Sequence, residues 1–219
     1  LYDVAGFSAK WLQDLAVAQW DNGNLGNMAP MPMAEMVGML EHVNGSAGWG
    51  DAVVLVPWEI YQEHGDLRIL EDNWPTAVRW LEFVQRAARE QRHPSRVETR
   101  PVAEPHAQYL WDSGFHWGEW LVPDEDLSDF GAFIAADKSD VATAFFARST
   151  EVAAQIARVL GRDVEAKRYQ LLSEAVVDAW RAEFVGPSGE ISPQTQANLV
   201  RALRFGLVPS ALRQDAVDR

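Results

Sequence analysis

Two short stretches of the sequence hold the residues best suited to chemistry, and the first runs from Gly48 to Tyr61. Here Trp49, Gly50 and Asp51 offer a flat ring for the C–H faces of a sugar, a backbone that a ligand can approach, and an acceptor for hydroxyl groups. These residue types favour a carbohydrate pocket. Asp51 is also a candidate N-terminal helix cap, because aspartate at that position stabilises a helix by about 1 kcal/mol without any ligand.

The second stretch, Trp111 to Trp120, packs aromatic residues, a histidine and two carboxylates into a segment that fits neither helical nor strand periodicity. It is the second candidate site, with Trp117 and Glu119 among its binding residues. His116 has no second histidine at the spacing of a metal site, so a hydrogen-bonded structural histidine is favoured over a general base or a metal ligand. The sequence indicates neither a metal nor a cofactor.

The composition favours a neutral ligand. The 219-residue chain has a formal charge of -13 at pH 7, which disfavours nucleic acid and anionic membrane surfaces as partners. A hydrophobic share of 47% supports a substantial core. The absence of cysteine excludes disulfides and thiolate metal sites and is compatible with the cytosol, and no apolar run reaches the roughly 18 residues of a membrane helix.

Amphipathic patterns predict three outer helices, and the tryptophans of these helices are assigned to packing, namely Trp11, Trp74, Trp80 and Trp180. The first covers residues 1–19, the second begins at a cap at Asp72 or Asn73 with Pro75 in its first turn, and the third begins at Asp163 and ends near Gly186 and Pro187. Between the second and third, residues 90–108 are charged and interrupted by proline. We expect a mobile excursion there that buries almost nothing and carries little chemistry.

Three broadly apolar segments predict inner helices. The first follows Asp51, and although Ala52–Val56 alone could be a buried strand, its continuation to a stop at Gly65 favours a helix kinked at Pro57. The second runs from about Ser139 to Gly161. The third opens at Ser192 and Pro193 and ends near Gly206.

Alternating outer and inner helices predict an all-α fold, because a helix that is apolar all round must be covered on every side. The inner helices open near residues 48, 140 and 192, which fits no solenoid repeat of about 34 or 40 residues. We therefore expect a partial (α/α)6 toroid of about three helical hairpins, with long loops at 21–48, 92–139 and 185–191 on one rim. The first residue is Leu1 and a helical pattern stops at Arg219, so residues 1–219 are expected to be part of a single barrel domain truncated at both ends.

These motifs together give the sequence a resemblance to the catalytic domain of bacterial α-L-rhamnosidases, inverting glycosidases built as a barrel of six helical hairpins. The resemblance covers almost the whole chain. It is carried by FSAKWLQDLAVAQ from Phe7, by WGDA from Trp49 with VPW from Val56, by GFHWGEWL from Gly114, and by Thr195-Gln196 before GLVP from Gly206.

The resemblance implies roles for some residues and not for others. Asp51 is similar to a carboxylate that accepts from rhamnose hydroxyls, and Trp58 and Trp120 are similar to rings that line the pocket. The family commonly has Gly-Asp-Trp-Leu where this chain has Glu119, which could reach the sugar or cap a helix. The resemblance implies that the general acid lies in an Asp-Glu-Arg motif upstream of the first helix and the general base in a Trp-Glu motif well downstream, so no catalytic carboxylate is expected in this chain.

Two other interpretations remain open from the sequence. One is a non-catalytic helical binding or scaffold module whose aromatic loop contacts a protein partner. The other is a toroidal glycosidase with a different sugar specificity. A half toroid would also leave its inner helices uncovered on one side, which predicts self-association through that apolar face.

Overall fold

The computed structural model describes residues 4–30, 43–119 and 129–217. Apart from one isolated antiparallel bridge between Val185 and Ile191, the regular structure in these ranges is helical, which confirms the all-α class. None of the helices described there is long and apolar enough to span a membrane. The helices are α1 (Ala5–Ala18), α2 (Ala52–His64), α3 (Leu67–Glu90), α4 (Pro94–Thr99), α5 (Phe130–Ala135), α6 (Ser139–Val159), α7 (Asp163–Phe184), α8 (Gln196–Arg204) and α9 (Arg213–Val217), with 3-10 turns at Pro105–Tyr109 and Ser210–Leu212.

Two helical hairpins form the middle of the fold. Short connections join α2 to α3 and α6 to α7, which makes each pair antiparallel neighbours. The inner helices α2 and α6 contact each other, α8 contacts α6, and α1 packs on α2 and α3. This is the predicted order of outer and inner helices, so the expectation of a partial toroid of hairpins is confirmed.

The helix α2 begins and ends as its sequence predicts. Its last turn stops at Gly65, whose φ of 70° is left-handed and whose N–H donates to the Tyr61 carbonyl at 2.8 Å. Pro57 lies inside the helix and is buried. Just before the helix, a Cβ on Gly50 would lie 2.1 Å from the Trp80 ring, so only glycine fits where this turn meets α3.

The predicted start of the second outer helix was wrong. α3 begins at Leu67, where Asp66 is the cap and its Oδ1 accepts from the Arg68 N–H at 3.0 Å. Pro75 therefore lies within the helix and not in its first turn. The buried Leu70 extends the apolar face toward the N-terminus, and burial of that face outweighs the backbone bond that proline removes.

The prediction of a structureless excursion at residues 90–108 was also wrong. The segment forms α4 and the 3-10 turn Pro105–Tyr109, which contacts α3 and α7. Its anchor is Arg96, which is 8% exposed and lies among carboxylates of other elements. Charged composition suggested solvent exposure, but opposite charges brought together by the fold allow burial.

The third inner helix differs from its prediction in bounds and in character. α8 begins at Gln196 with Thr195 as its cap, whose Oγ1 accepts from the Asn198 N–H at 3.1 Å. It buries Asn198 and Ala202, whereas Val200 is 58% exposed, so α8 is not covered on every side. Two arginines in its last turn keep one face polar.

Among the residues that the structure describes, the core consists of one large cluster and one small one. The large cluster draws on α1 to α3 and α6 to α9 and includes the fully buried rings of Trp80, Trp111 and Trp180. The tryptophans predicted to serve packing lie in or against this cluster, which confirms that assignment for Trp11, Trp74, Trp80 and Trp180. The small cluster contains Val43, Phe115 and Phe133, with Trp117 packed against it. It joins the two loops that hold the candidate site residues.

Candidate functional site

Trp49 and Trp117 come together although 68 positions separate them in the sequence. Their ring centroids are 6.1 Å apart, and Trp49 is 37% exposed. The Trp117 backbone is held on both sides, because its N–H donates to Ser46 Oγ at 3.0 Å and its carbonyl accepts from Lys138 Nζ at 3.1 Å. Two adjacent, partly exposed rings on a fixed backbone make a surface on which the C–H face of a sugar can pack.

Asp51 lies two residues after Trp49 and is completely buried. Its Oδ1 accepts from Trp80 Nε1 at 3.1 Å and from Ser149 Oγ at 2.6 Å, and its Oδ2 accepts from the Gly48 N–H at 2.8 Å. Burial raises the Asp51 pKa, although these hydrogen bonds oppose the rise. The carboxylate therefore ties the loop before α2 to α3 and α6.

Asp51 occupies the N-cap position of α2, but its side chain makes no capping hydrogen bond to the first turn of that helix. The capping role considered from the sequence is thus replaced by contacts to other elements. Its predicted contact with sugar hydroxyls stays a prediction. Because Asp51 has no exposed surface, its effect on a ligand would come through the loop that it holds in place, and that loop carries Trp49.

His116 is the hydrogen-bonded histidine that the sequence favours. Its Nδ1 accepts from the Ala47 N–H at 3.1 Å, so its Nε2 carries the proton and donates to the Ser113 carbonyl at 3.2 Å. The ring packs edge-on against Trp111, with centroids 4.6 Å apart. Burial lowers the His116 pKa to about 4, so the imidazole is neutral and joins the two candidate loops.

This neutral histidine predicts a pH-dependent contribution to stability. The folded-state pKa is about 4 against 6.5 for an ordinary histidine, so the unfolded chain binds the extra proton and stability is lost as pH falls from about 6.5 toward 4. The expected loss is about 3 kcal/mol. Urea denaturation of wild type and His116→Asn between pH 7 and 4 should show this acid-dependent loss in the wild type alone.

The difference in stability between the wild type and His116→Asn reports the titration of His116, because the titrations of other groups are common to both proteins. Burial raises the Asp140 pKa to about 6, and a raised carboxyl pKa contributes stability below pH 3.8 that is lost as pH rises, but both proteins share this group. His64→Asn, at an exposed position, is the matched control and should keep the wild-type profile. An unchanged pH profile in His116→Asn would contradict the prediction.

Glu119 forms an ion pair with Arg201 of α8. Arg201 Nη2 also lies 3.2 Å from Asp140 Oδ2, at the start of α6, and donates to Asn198 Oδ1 at 2.8 Å. Burial lowers the Arg201 pKa to about 10. From the sequence, Glu119 was expected to cap a helix or to contact the sugar. The structure shows a third role, because its ion pair with Arg201 joins the loop that carries Trp117 to α6 and α8. Contact with the sugar stays a prediction.

The remaining predicted residues lie elsewhere or outside the described ranges. Trp58 is half-buried on α2, and its ring packs against Tyr61 at 5.6 Å. Within the described ranges no ring contact joins Trp58 to Trp49 or Trp117. Trp120 lies outside the described residues. The structure therefore brings Trp49 and Trp117 together. It also connects Glu119, through Arg201, to the inner helices α6 and α8.

Sequence reasoning missed three residues that build this site. Trp80 was assigned to packing alone, yet its N–H donates to Asp51. Ser149 and Arg201 were not singled out. A serine in the middle of a broadly apolar inner helix was the available signal for Ser149, since a buried hydroxyl requires a partner. No local pattern marks Arg201, whose two carboxylate partners, Glu119 and Asp140, come from distant parts of the sequence.

No group of three or more His, Cys, Asp or Glu side chains suited to a metal ion occurs within residues 4–30, 43–119 and 129–217. Two concavities lie away from the tryptophan pair. One of about 580 Å³ lies between α4 and α5, and the other, of about 500 Å³, lies beside α8 and α9. The tryptophan pair thus belongs to neither of these cavities and forms part of a surface.

Comparison with known proteins gives consistent results. An α-L-rhamnosidase of Streptomyces avermitilis is 35% identical over 218 residues, and one of Alteromonas sp. is 30% identical over 213 residues. These matches cover 99% and 95% of this chain but 18% and 20% of the relatives, so the chain spans about a fifth of their length.

Solved structures of α-L-rhamnosidases superpose on the same region. The crystal structure of the Streptomyces avermitilis enzyme complexed with L-rhamnose has a TM-score of 0.76 at 33% identity and covers 99% of this chain and 17% of that one. The native Aspergillus terreus enzyme gives 0.76 at 26% identity, covering 100% of this chain and 23% of that one. The family model described as the bacterial alpha-L-rhamnosidase 6 hairpin glycosidase domain matches residues 1–219. The chain therefore belongs to the bacterial α-L-rhamnosidase six-hairpin glycosidase domain family.

Proposed function

We propose that this chain is part of the single (α/α)6 catalytic domain of an inverting α-L-rhamnosidase, which releases terminal α-L-rhamnose from rhamnosides. In this proposal it contributes part of the sugar-binding wall and neither catalytic carboxylate. The observation that carries the proposal is the likeness, over 99% of the chain, to a homologous enzyme whose crystal structure contains L-rhamnose.

The proposed contribution to the reaction is binding and orientation. Trp49 and Trp117 supply adjacent ring faces, and Glu119 is a partly exposed carboxylate two residues beyond Trp117. A neutral sugar can be bound by rings that pack on its C–H groups and by acceptors that bind its hydroxyl groups. Asp51 holds the loop that carries Trp49, and Asp51, Trp58 and Trp120 remain predicted members of the wall.

The proposal also explains why this chain should not turn over substrate. Inverting hydrolysis requires a general acid and a water-activating base about 6.5 to 9.5 Å apart. No Asp-Glu-Arg sequence occurs in residues 1–219, and the Trp-Glu motif of the family's general base is expected well downstream of them, since the Trp58-Glu59 pair lies within the inner helix α2. The rest of the barrel would supply both. Self-association of the chain through the apolar faces of its inner helices also stays a prediction.

Ligand binding and turnover by the purified chain test the proposal. We expect methyl α-L-rhamnoside to bind and its mirror image, methyl α-D-rhamnoside, to bind at least tenfold more weakly, as followed by saturation-transfer NMR. Trp49→Ala should weaken binding about tenfold, since one aromatic contact contributes about 1 kcal/mol or somewhat more. The chain should release no nitrophenol from 4-nitrophenyl α-L-rhamnoside.

Tyr109→Ala is the matched control for loss of a partly exposed ring outside the wall, and it should bind as the wild type does. Equal affinity for the two mirror-image sugars would overturn the assignment of a rhamnose wall. Measurable turnover would overturn the statement that neither catalytic carboxylate lies in this chain.

A further inference from the structure

Arg201 joins two carboxylates that come from different parts of the fold. It pairs through Nη1 with Glu119, in the loop that carries Trp117, and through Nη2 with Asp140 in the first turn of α6. Its side chain is 9% exposed, and that of Asp140 is 9% exposed. The Glu119 side chain, at 28%, is the most exposed of the three. A single guanidinium thus serves two carboxylates and leaves the group with a net negative charge at its exposed end.

The other members of this cluster are held by the surrounding helices. The Asp140 carbonyl accepts from Trp180 Nε1 of α7 at 3.0 Å. Asn198, which accepts from Arg201, donates through Nδ2 to the Pro193 carbonyl at 2.9 Å. Asp140 and Asn198 therefore bind the guanidinium in a fixed position. Glu119 is the partner contributed by the loop that carries Trp117.

The geometry of the guanidinium depends on its two Nη atoms. Arg201 Nε is buried and has no hydrogen-bond partner in the part of the chain that the structure describes. The orientation of the planar guanidinium is therefore fixed by the acceptors of its two Nη groups. A lysine has a single ammonium point charge and cannot reproduce two such directions, and an aspartate at 119 would withdraw its carboxylate by about one C–C bond.

We propose that Arg201 is a positioning residue that holds the Glu119 carboxylate between the start of α6 and the side of α8, and that the length of the glutamate side chain is required for this contact. The held carboxylate then accepts from a hydroxyl of the sugar that packs on Trp49 and Trp117. This inference rests on the proposed function for its ligand, but the contact itself can be tested without one.

The first experiment tests the contact in the absence of sugar. Rotation about the guanidinium bonds is slow when both Nη groups are held, so wild-type Arg201 should give separate Nη resonances in 15N NMR spectra. In Glu119→Asp these resonances should merge, whereas in Glu151→Asp, which shortens the partner of Arg148 in a separate ion pair on α6, those of Arg201 should stay separate. Separate Arg201 resonances in Glu119→Asp would overturn the requirement for glutamate.

The second experiment tests positioning. Glu119→Asp and Arg201→Lys should each weaken binding of methyl α-L-rhamnoside about fivefold, and the double variant should be no weaker than either, because the two residues act through one contact. The denaturation midpoint of Glu119→Asp should stay near that of the wild type, which separates positioning from stability. The control pair Arg148→Lys and Glu151→Asp should leave binding unchanged.

The outcomes separate this inference from the function it rests on. Binding of the rhamnoside with no loss in Glu119→Asp would overturn the positioning role and leave the sugar wall standing. Additive losses in the double variant would also overturn it. If the wild type binds no rhamnoside while the Arg201 resonances merge in Glu119→Asp, the proposed function fails and the contact between Arg201 and Glu119 is supported.

Discussion

Replacing Asp51 by alanine should destabilise the chain by about 3 kcal/mol and free the loop that carries Trp49. The change removes the acceptor of three donors, the buried Trp80 Nε1 and Ser149 Oγ and the partly buried Gly48 N–H. The serine hydroxyl can turn to another acceptor, but the indole and backbone N–H groups cannot, and each unsatisfied donor costs about 1–3 kcal/mol. Relief of the buried charge offsets part of this loss. Urea denaturation at pH 7 measures the difference.

Two milder variants serve as controls for Asp51→Ala. Asp51→Asn keeps the shape and one acceptor oxygen, but it turns an amide toward the Gly48 N–H, so the expected loss is about 1–2 kcal/mol. Ser149→Ala removes one donor together with its bond and should cost about 1 kcal/mol. Equal stability of Asp51→Ala and the wild type would show that the carboxylate does not join the three elements.

Replacing Arg96 by methionine should cost about 3–5 kcal/mol. Its Nε donates to Asp137 Oδ2 and its Nη2 to Ser139 Oγ, both at 2.6 Å, and its Nη1 pairs with Glu183 of α7. Removing one member of a buried ion pair leaves the other charge without compensation. Asp112, whose pKa is raised chiefly by burial, lies 3.8 Å from the same guanidinium and would lose it as well.

Arg100→Met is the matched control, because Arg100 pairs with the same Glu183 but its side chain is 44% exposed. An ion pair of that exposure contributes about 1 kcal/mol or less. In urea denaturation at pH 7, Arg96→Met should therefore lose clearly more free energy of unfolding than Arg100→Met. Comparable losses in both would show that burial of Arg96 is not what makes its contacts strong.

The pH dependence gives a second check on Arg96. Although burial acts in the opposite direction, hydrogen bonds from Arg100 and His106 and the charge of Arg96 hold the Glu183 pKa at about 2, below its usual 4.5. A lowered carboxyl pKa contributes stability above pH 4.5 that is lost as pH falls toward 2. Arg96→Met removes part of this contribution, so the stability difference from the wild type should narrow between pH 7 and pH 3.

Local patterns alone determined most of the helices. The apolar run after Asp51 and the glycine at 65 predict α2 and its stop, because backbone capping depends on neighbours in the chain. The same holds for α6 and α7, and for the alternation that indicates hairpins. Motifs read from the sequence also identified the family, since they report residue types at fixed spacings.

Only the tertiary structure decided what the polar residues contact. Asp51 was a candidate helix cap, but its side chain accepts from Trp80 and Ser149, which lie 29 and 98 positions away. Arg96 looked exposed, yet its partners in Asp137 and Glu183 make burial favourable. Hydrophobic periodicity reports which face of a helix is covered, but a charged side chain is stabilised by specific partners at specific distances. Those distances exist only after the helices have packed.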